Sequence, residues 1–352
     1  MVVTELFREP HHEFKENRQR RGETLKSVVW SVAVMTDDGK GEHLALKVVP
    51  CDHDPGTRDF RETVQKEYNL LAAIQHSHII ATVGHYVEGQ PGQLSYGLLL
   101  FPLARENLSE LLGAVSDWNS KRDEPQDRGI KEDVYRLLAY MPCLCRAVLY
   151  LHRLESPIKH RDIKSANILI DDHENVLLAD FDIAKKYTNR NNATTSGFTS
   201  HTAQYSSRAV QDGEDRSLDW DINSLGYIFL ELATVVFGHT LDDFRLHLAK
   251  GRKGEAKTYS AALEEGTIFT WIRHLKQSAR DHPLHLPLHC FGDRSDGTCF
   301  QSVDKFFKHI VEMMLANKDT YEGVLEAAEA CFDRTSPSIC QHCHPIVSLR
   351  PP

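Results

Sequence analysis

Apolar and polar residues alternate near the start of the chain, over residues 24–50. The stretch "SVVWSVAV" is followed by the run "DDGKG" at residues 37–41 and then by "HLALKVV". Alternation is typical of half-buried strands, and a short run of Asp and Gly is typical of the turn that joins two of them. Residues 24–50 therefore predict a β-hairpin, and the apolar run "LSYGLLLFPL" at residues 94–103 predicts a further, buried strand.

Three later stretches of the chain predict helices, two by periodicity and one by its apolar composition. Residues 57–75 and 131–152 carry apolar residues three and four positions apart, and "DINSLGYIFLELATVV", from Asp221, is apolar nearly all round. This spacing places the apolar side chains on one helix face, and an apolar helix without a polar face belongs in a core. The polar run "WNSKRDEPQDRG" at residues 118–129 predicts a loop. The chain thus changes from strand-rich to helix-rich near residue 104, which predicts two lobes with a ligand-binding cleft between them.

Two charged residues interrupt the apolar pattern. Lys47 lies within the strand "LALKVV", and Glu67 lies on the apolar stripe formed by Phe60, Val64, Leu71 and Ile74. An unpaired charge in an apolar interior is costly. Either Glu67 is at the edge of the stripe and reaches solvent, or the two residues form an ion pair between the helix and the sheet.

Composition narrows the class of protein. The chain has 352 residues and a formal net charge of −9, with 41% hydrophobic and 26% charged residues. An acidic chain without clustered Lys and Arg disfavours nucleic-acid binding. No apolar run approaches the roughly 20 residues that span a bilayer, and the N-terminus has no apolar signal-peptide core. We therefore expect no membrane association and an intracellular location, cytoplasmic or nuclear.

The cysteines add one open question. An intracellular chain normally keeps its thiols reduced, and Cys143 and Cys145 fall in an apolar helical stretch. The tail "CQHCHP" holds Cys340 and Cys343 at partial metal-ligand spacing. A closed zinc site usually needs two such pairs, so both a metal site and an unliganded C-terminal segment remain possible.

The stretch "IKHRDIKSANILI", residues 158–170, concentrates residues capable of chemistry between apolar runs. Asp162, Lys164 and Asn167 follow one another closely, and Asp180 comes later in "LLADFDIAKK". Phosphoryl transfer needs a carboxylate that orients a hydroxyl, a cation that offsets phosphate charge, and oxygen ligands for Mg²⁺. These four residues supply each of these parts.

The same residues resemble the signature of the protein kinase family, His-Arg-Asp-x-Lys-x-x-Asn followed by Asp-Phe-Gly. The resemblance extends over roughly residues 20–235, and the Lys two places after the Asp is similar to the Ser/Thr branch. It implies an α+β, two-lobed protein-kinase-like fold with a β-rich N-lobe and a mainly helical C-lobe. The implied boundaries are an N-terminal extension at 1–20, the N-lobe at 21–103, the C-lobe at 104–335 and a tail at 336–352.

The resemblance also implies roles for particular residues, with ATP and Mg²⁺ as cofactors and a protein as substrate. The catalytic and metal-binding set comprises Lys47 on the phosphates, its partner Glu67, the base Asp162, Lys164 on the γ-phosphate, and the Mg²⁺ ligands Asn167 and Asp180. Asp221 would brace the catalytic loop. The nucleotide-binding set comprises Gly22 in the phosphate loop, Val29, Ala45 and Leu169 around adenine, the gatekeeper Leu100, Phe101 and Leu103 in the hinge, and Asn107 near the ribose.

The chain departs from the family pattern in four places. In the phosphate loop "GETLKSVV" only Gly22 matches, with Thr24 and Ser27 at the other glycine positions. Asp182 replaces the glycine of Asp-Phe-Gly, and Ala209 replaces a Glu that pairs with a downstream Arg in the family. A clear Asp-Pro-x-x-Arg-Pro motif is missing, and Arg334 is at best its remnant.

Three functions are compatible with these residues. An active Ser/Thr protein kinase is favoured, because Lys47, Glu67, Asp162, Asn167 and Asp180 are all retained. A pseudokinase that binds nucleotide or acts as a scaffold is the alternative, supported by the altered phosphate loop and Asp182. A small-molecule kinase is disfavoured by the His-Arg-Asp-x-Lys arrangement. The sequence indicates neither the protein substrate nor the oligomeric state.

Overall fold

The computed structural model describes residues 19–23, 28–35, 41–51, 60–90, 93–121, 128–188, 203–205, 217–250, 258–281 and 298–335. The chain divides into two compact units. The strand-rich unit comprises Met1–Arg105 and Leu169–Ala184, and the helical unit comprises Glu106–Ile168 and Lys185–Pro352. The predicted α+β, two-lobed fold with a β-rich N-terminal part and a helical C-terminal part is confirmed.

The strand-rich unit is built on an antiparallel five-stranded sheet with the order β1-β2-β3-β5-β4. Its strands are β1 (Gln19–Glu23), β2 (Val28–Met35), β3 (Gly41–Cys51), β4 (Ala81–Gln90) and β5 (Gln93–Phe101). The two strands of the predicted hairpin are confirmed by β2 and β3, and the strand predicted from the apolar run at 94–103 is confirmed by β5, which ends at Phe101. The predicted turn at 37–41 lies mostly outside the described residues. Val32, Leu44, Leu46 and Leu99 form one apolar cluster, while Val49, Val64 and Leu98 form another.

One helix of this unit, α1 (Phe60–Ala72), contributes Val64 to the second cluster. The predicted helix over residues 57–75 is too long at its C-terminal end. The backbone N–H groups of Ala73 and Ile74 bond to carbonyls three residues back, which closes a tight turn instead of extending the helix. Residues 57–59 lie outside the described part of the chain.

Shorter strands complete the β-structure. A three-stranded sheet has the order β6-β8-β9, formed by β6 (Ala104–Asn107), β8 (Ile168–Asp171) and β9 (Val176–Leu178). Two-residue strands β7 (Ile158–Lys159) and β10 (Lys185–Lys186) pair in antiparallel fashion. The segments that carry the predicted catalytic residues follow directly on β7 and β9.

The helical unit contains the remaining helices of the described chain. They are α2 (Leu108–Ser120), α3 (Arg128–Arg153), α4 (Asp219–Val236), α5 (Leu241–Ala249), α6 (Tyr259–Glu264), α7 (Thr267–Asp281), α8 (Thr298–Met314) and α9 (Tyr321–Thr335). Sixteen of the 18 residues of α4 are buried, as the all-round apolar pattern predicted. The prediction of the long amphipathic helix over residues 131–152 is also confirmed by α3.

The polar loop predicted at residues 118–129 is partly wrong. Trp118, Asn119 and Ser120 form the last turn of α2, and Arg128 and Gly129 already belong to α3. Asn119 is buried because its amide donates to the carbonyls of Val235 and His239, so a polar residue here belongs to the packed interior.

One helix of the described residues, Glu132–Arg153, is long and apolar enough to cross a membrane. Of its most apolar window, 67% is buried inside the protein. This burial is what the core helix of a packed unit shows, so the composition of the helix is weak support for a membrane span.

Candidate active site

Lys47 on β3 lies at the centre of a charge cluster in the strand-rich unit. Its Nζ is 3.0 Å from Glu67 Oε1 on α1 and 2.6 Å from Asp180 Oδ1. Lys47 and Glu67 are 9% and 3% exposed, so the pair is buried. The ion pair between Lys47 and Glu67, predicted because both charges interrupt apolar patterns, is therefore present.

Two carboxylates contact the Lys47 ammonium group, and the charge of a third, Asp182, also acts on it. Burial alone would lower the pKa of Lys47, but the charges of Glu67, Asp180 and Asp182 outweigh burial and raise it above its usual range. Burial raises the pKa of Glu67, and Asp180 and Asp182 act in the same direction against the stabilising charge of Lys47. Burial is thus the largest cause of the shift at Glu67, and the negative charge of Asp180 and Asp182 contributes to the raised pKa of both residues.

The segment Asp180-Phe181-Asp182 is fixed by local contacts. Phe181 is 1% exposed, and its backbone N–H donates to Glu67 Oε1 at 3.2 Å. Asp180 has a φ of 67°, in the left-handed region that Asp tolerates better than most residues. Such backbone conformations cost free energy and cluster at functional sites, so the geometry of Asp180 is consistent with a functional role.

Several predicted nucleotide-binding residues share one face of the five-stranded sheet. Ala45 pairs with Leu100, Lys47 pairs with Val29, and Val29 pairs with Gly22. Residues opposite each other on antiparallel strands point to the same face, as do residues two apart on one strand. The register therefore places Val29, Ala45 and Leu100 beside Lys47.

The other predicted nucleotide-binding residues lie at different places in the fold. Phe101 at the end of β5 is 42% exposed, while Leu103 and Leu169 are half-buried. Asn107 is the N-cap of α2, where its side chain accepts from the backbone of Glu110 and the Glu110 side chain accepts from the backbone of Asn107. This reciprocal cap gives Asn107 a structural task, and its contact with ribose stays a prediction.

The predicted catalytic loop lies in the helical unit and holds Asp162, Lys164 and Asn167 together. Lys164 Nζ is 2.6 Å from Asp162 Oδ2. The side-chain amide of Asn167 donates to the backbone carbonyl of Asp162 at 2.9 Å and to Asp162 Oδ2 at 3.0 Å. The 3₁₀ turn Ser165–Asn167 brings about this approach. The loop thus fixes the orientation of the Asp162 carboxylate.

Asp221 braces this loop from the buried helix α4. Its carboxylate accepts from the backbone N–H groups of His160 at 2.8 Å and Arg161 at 2.9 Å, and it lies 3.0 Å from His152 Nε2. Burial opposes ionisation, but the hydrogen bond and charge of His152, with Lys159 and His160, lower the pKa of Asp221 to about 2. An ionised Asp221 stabilises Arg161, whose φ of 76° is also left-handed.

The predicted metal ligands, Asn167 and Asp180, both carry oxygen atoms of the kind that Mg²⁺ binds. Asn167 uses its amide nitrogen on Asp162, so its oxygen is the atom left for a cation. Asp180 contributes a carboxylate that is 32% exposed. Oxygen donors suit Mg²⁺, which is usually held by one or two carboxylates together with substrate phosphates and water. Among the described residues, no group of three or more His, Cys, Asp or Glu is arranged to hold a metal ion.

Sequence reasoning missed a buried polar network in the helical unit, formed by Ser165, Tyr205, Glu231 and Tyr259. A signal was available, because Glu231 interrupts the apolar run "FLELATVV" as Lys47 interrupts "LALKVV". Thr24, Ser27, Ala209 and the cysteines Cys340 and Cys343 lie outside the described residues. Arg334, the predicted remnant of the downstream motif, is exposed in the last turn of α9.

Comparison with known proteins identifies the family. The fold and the charge cluster define an α+β protein with the kinase arrangement of residues. The family profile described as the protein kinase domain matches residues 28–265, more than half of the chain. The chain therefore belongs to the protein kinase family.

Individual relatives are distant. The chain is 28% identical over 201 residues to a probable serine/threonine-protein kinase of Dictyostelium discoideum, a match that covers 57% of this chain and 14% of the relative. It is 28% identical over 198 residues to cysteine-rich receptor-like protein kinase 28 of Arabidopsis thaliana, covering 55% and 26%. The match to the nodulation receptor kinase of Pisum sativum is 28% over 197 residues, covering 55% and 19%. The chain thus spans about a quarter or less of these relatives.

Proposed function

We propose that the protein is an ATP-dependent kinase that transfers the γ-phosphate to Ser or Thr hydroxyl groups of protein substrates. The observation that carries the proposal is the position of Lys47 Nζ, within hydrogen-bond distance of both Glu67 and Asp180. Desolvation opposes the burial of an ammonium group with two carboxylates, so the cluster is weak evidence for a gain in stability. An ammonium group of this kind is suited to binding nucleotide phosphates. The names of the relatives support the Ser/Thr branch.

Each residue then has a role in the transfer. The substrate hydroxyl oxygen forms a bond to the γ-phosphorus while the bond to the β–γ bridging oxygen breaks, and ADP leaves with that electron pair. Asp162 orients the hydroxyl and accepts its proton, and Lys164 offsets charge on the γ-phosphate. Lys47 holds the α- and β-phosphates, and Asn167 and Asp180 would hold Mg²⁺. When bound, Mg²⁺ neutralises charge that develops on the phosphates.

A radiolabel transfer assay tests this proposal. The parent chain with MgATP should label Ser and Thr residues of a mixed protein substrate, and Asp162→Asn should lower the rate by about 10² or more, because the carboxylate that takes the proton is lost. Asp172→Asn changes an exposed carboxylate ten residues along and should leave the rate unchanged. Equal rates for the parent and Asp162→Asn would contradict the proposal.

A second candidate is a pseudokinase that binds nucleotide or acts as a scaffold. Two observations favour it: only Gly22 matches the glycines of the phosphate loop, and Asp182 replaces a family glycine. Loss of glycine removes backbone freedom and close approach to phosphates. A pseudokinase would show an MgATP-dependent rise in Tm without transfer by the parent chain.

The partners and location follow the proposed function. We infer that the chain acts on proteins and uses ATP, and that it binds neither nucleic acid nor a membrane, because its net charge of −9 disfavours anionic surfaces. A cytoplasmic or nuclear location is proposed from the same composition. Relatives named receptor-like kinases make membrane recruitment of a longer protein the natural competing hypothesis, which fractionation of cells would test.

A further inference from the structure

A buried glutamate in the core helix has no part in the proposed phosphoryl transfer. Glu231 on α4 is 4% exposed. Its two carboxylate oxygens accept from Tyr205 Oη at 2.9 and 3.0 Å, and Tyr259 Oη donates to Oε1 as well. A buried carboxylate is tolerated only where hydrogen bonds satisfy it, so the two phenol groups belong to one unit with Glu231.

Tyr205 connects this unit to the catalytic loop. Its Oη lies 3.1 Å from Ser165 Oγ, and both atoms are buried. A phenol has a single hydrogen. When Glu231 is ionised, Tyr205 donates this hydrogen to it, so Ser165 is the donor to Tyr205. The hydrogen bonds therefore run in one direction, from Ser165 through Tyr205 to Glu231.

The position of Ser165 makes this connection relevant to chemistry. Ser165 is the first residue of the 3₁₀ turn that ends at Asn167. The amide N–H of Asn167 bonds to the carbonyl of Lys164 at 2.9 Å, and its side chain bonds to Asp162. A displacement of Ser165 would therefore move the residues that orient Asp162.

Tyr205 is itself held from several sides. Ser224 Oγ on α4 donates to the backbone carbonyl of Tyr205 at 3.3 Å. The Tyr205 ring meets the Tyr259 ring edge-on, with centroids 5.4 Å apart. Gln204, from the same short turn Ala203–Tyr205, donates to Tyr259 Oη at 3.0 Å. These contacts fix the turn Ala203–Tyr205, and with it the Tyr205 hydroxyl that bonds to Ser165.

We propose that Tyr205 is a positioning residue, which anchors Ser165 to Glu231 and thereby holds Asp162 and Asn167 in the orientation needed for phosphoryl transfer. The proposal rests on the proposed kinase function. It predicts an effect on the catalytic step and not on nucleotide binding, because the hydrogen bonds that link Ser165, Tyr205, Glu231 and Tyr259 all lie within the helical unit.

The first experiment is amide hydrogen exchange of residues 160–167 without nucleotide. The amides of His160, Arg161 and Asn167 are hydrogen-bonded, so their exchange reports opening of the loop. Tyr205→Phe keeps the ring and removes only the hydroxyl, and it should accelerate exchange of Asn167 by about tenfold or more, the effect of one lost hydrogen bond. Tyr227→Phe is the control, since Tyr227 on α4 is also buried and its hydroxyl is in none of the hydrogen bonds described for the network. The change keeps the Tyr227 ring, which stacks on Tyr259.

The second experiment compares transfer kinetics. Tyr205→Phe should lower kcat by about tenfold with KM for ATP unchanged, and Tyr227→Phe should match the parent. Ser165→Ala removes the same link, so Ser165→Ala combined with Tyr205→Phe should be no slower than either single variant, whereas independent sites would give multiplied losses.

The outcomes separate this proposal from the proposed function. Faster exchange in Tyr205→Phe, in a protein that transfers no phosphate, would support the anchoring and reject the kinase activity. Exchange in Tyr205→Phe equal to that of the parent would overturn the anchoring, whatever the kinase activity. Equal acceleration in Tyr227→Phe would also overturn it, because any buried phenol would then matter.

Discussion

At the scale of single residues, Lys47 is the cation that pairs with two carboxylates of the candidate site. It balances Glu67 and Asp180 at 3.0 and 2.6 Å within a buried environment. Lys47→Met keeps the length of the side chain and removes its charge. We expect phosphate transfer to fall by about 10² or more, since electrostatic stabilisation of a developing charge has that magnitude. Lys66→Met, on the exposed side of α1, is the control and should transfer at the parental rate.

Asp182 tests how much the departure from Asp-Phe-Gly matters. Burial is the main cause of the raised pKa of Glu67, and the charge of Asp182 adds to it while also raising the pKa of Lys47. Asp182→Gly removes that charge and leaves Asp180 and Phe181 in place, so the variant should transfer phosphate at least as fast as the parent. The measurement is the initial rate at saturating MgATP. If the variant lost nucleotide binding while the parent kept it, Asp182 would be a metal ligand.

Glu231 predicts a pH dependence of stability. Burial raises its pKa from 4.5 to about 7, against the opposing hydrogen bonds from Tyr259 and Tyr205. Between these two values the folded protein keeps a proton that the unfolded chain has released, so the free energy of unfolding falls as pH rises through this window. Glu231→Gln cannot titrate and should lack this decrease, which amounts to at most about 1.4 kcal/mol per pH unit. Denaturant unfolding at a series of pH values measures it, and identical pH profiles for both proteins would refute it.

At the scale of helices and strands, periodicity predicted the elements whose sequence matches their burial. The hairpin β2–β3, helix α3 and helix α4 all follow from the spacing of apolar residues. Helix α2 was missed at its C-terminal end, because Asn119 reads as a loop residue until the carbonyls of Val235 and His239 satisfy it. These partners lie more than a hundred positions away, and no local pattern indicates them.

The candidate site also divides into residues that a local sequence pattern predicts and residues that only the packing of distant segments brings together. Asp162, Lys164, Asn167 and Asp180 were accessible because their spacing forms a motif. The network around Tyr205 was not, because Ser165, Glu231 and Tyr259 come together only when distant segments pack. A charged residue within an apolar run was the one local sign of it, and that sign was used for Lys47 but not for Glu231.

The packing of α4 against α8 gives a test at this scale. A Cβ at Gly226 on α4 would lie 2.9 Å from both the backbone nitrogen and the Cγ of Met314 on α8, closer than real Cβ contacts. Gly226→Ala should therefore destabilise the protein by about 1–3 kcal/mol, as overpacking does.

Gly113→Ala is the matched control for this prediction. A Cβ at Gly113 on α2 would meet nothing within 4 Å, so the same change should stabilise the protein by about 0.5–1 kcal/mol through the lower entropy of the unfolded chain. Denaturant midpoints measure both variants. Effects of the same sign would contradict the packing of α4 on α8.

At the scale of the whole molecule, the departures from the family pattern fall into two groups. The first group, the altered phosphate loop and Asp182, lies near the residues proposed for chemistry in the sequence, and those residues are retained. The second group, Ala209 and the region of Arg334, lies in the helix-rich part of the chain. The exposed position of Arg334 fits the loss of its partner, because a buried arginine without a carboxylate would be costly. The departures at Ala209 and Arg334 therefore concern the scaffold of the helical part and not the residues proposed for chemistry.

Control by phosphorylation is the last prediction. Arg161 directly precedes Asp162, and its backbone is fixed by Asp221. A guanidinium binds a phosphate dianion through charge-assisted hydrogen bonds. The segment "NRNNATTSGFTSHT" offers hydroxyl groups outside the described residues. We expect phosphorylation at one of Thr194, Thr195, Ser196 or Thr199, with the phosphate bound by Arg161. Thr202 is excluded, because its position resembles the family threonine that bonds to the catalytic Asp and Lys.

Mass spectrometry of the purified, active chain before and after phosphatase treatment measures this. Removal of the phosphate should lower the transfer rate by about tenfold or more, the effect of one charge-assisted contact. Arg161→Lys should show a smaller loss on dephosphorylation, since a lysine cannot bind the phosphate in a bidentate manner. Full activity of a chain without phosphate anywhere between Asp180 and Ala209 would exclude this form of control. The hydrogen bonds that connect Ser165, Tyr205 and Glu231 do not depend on such a phosphate.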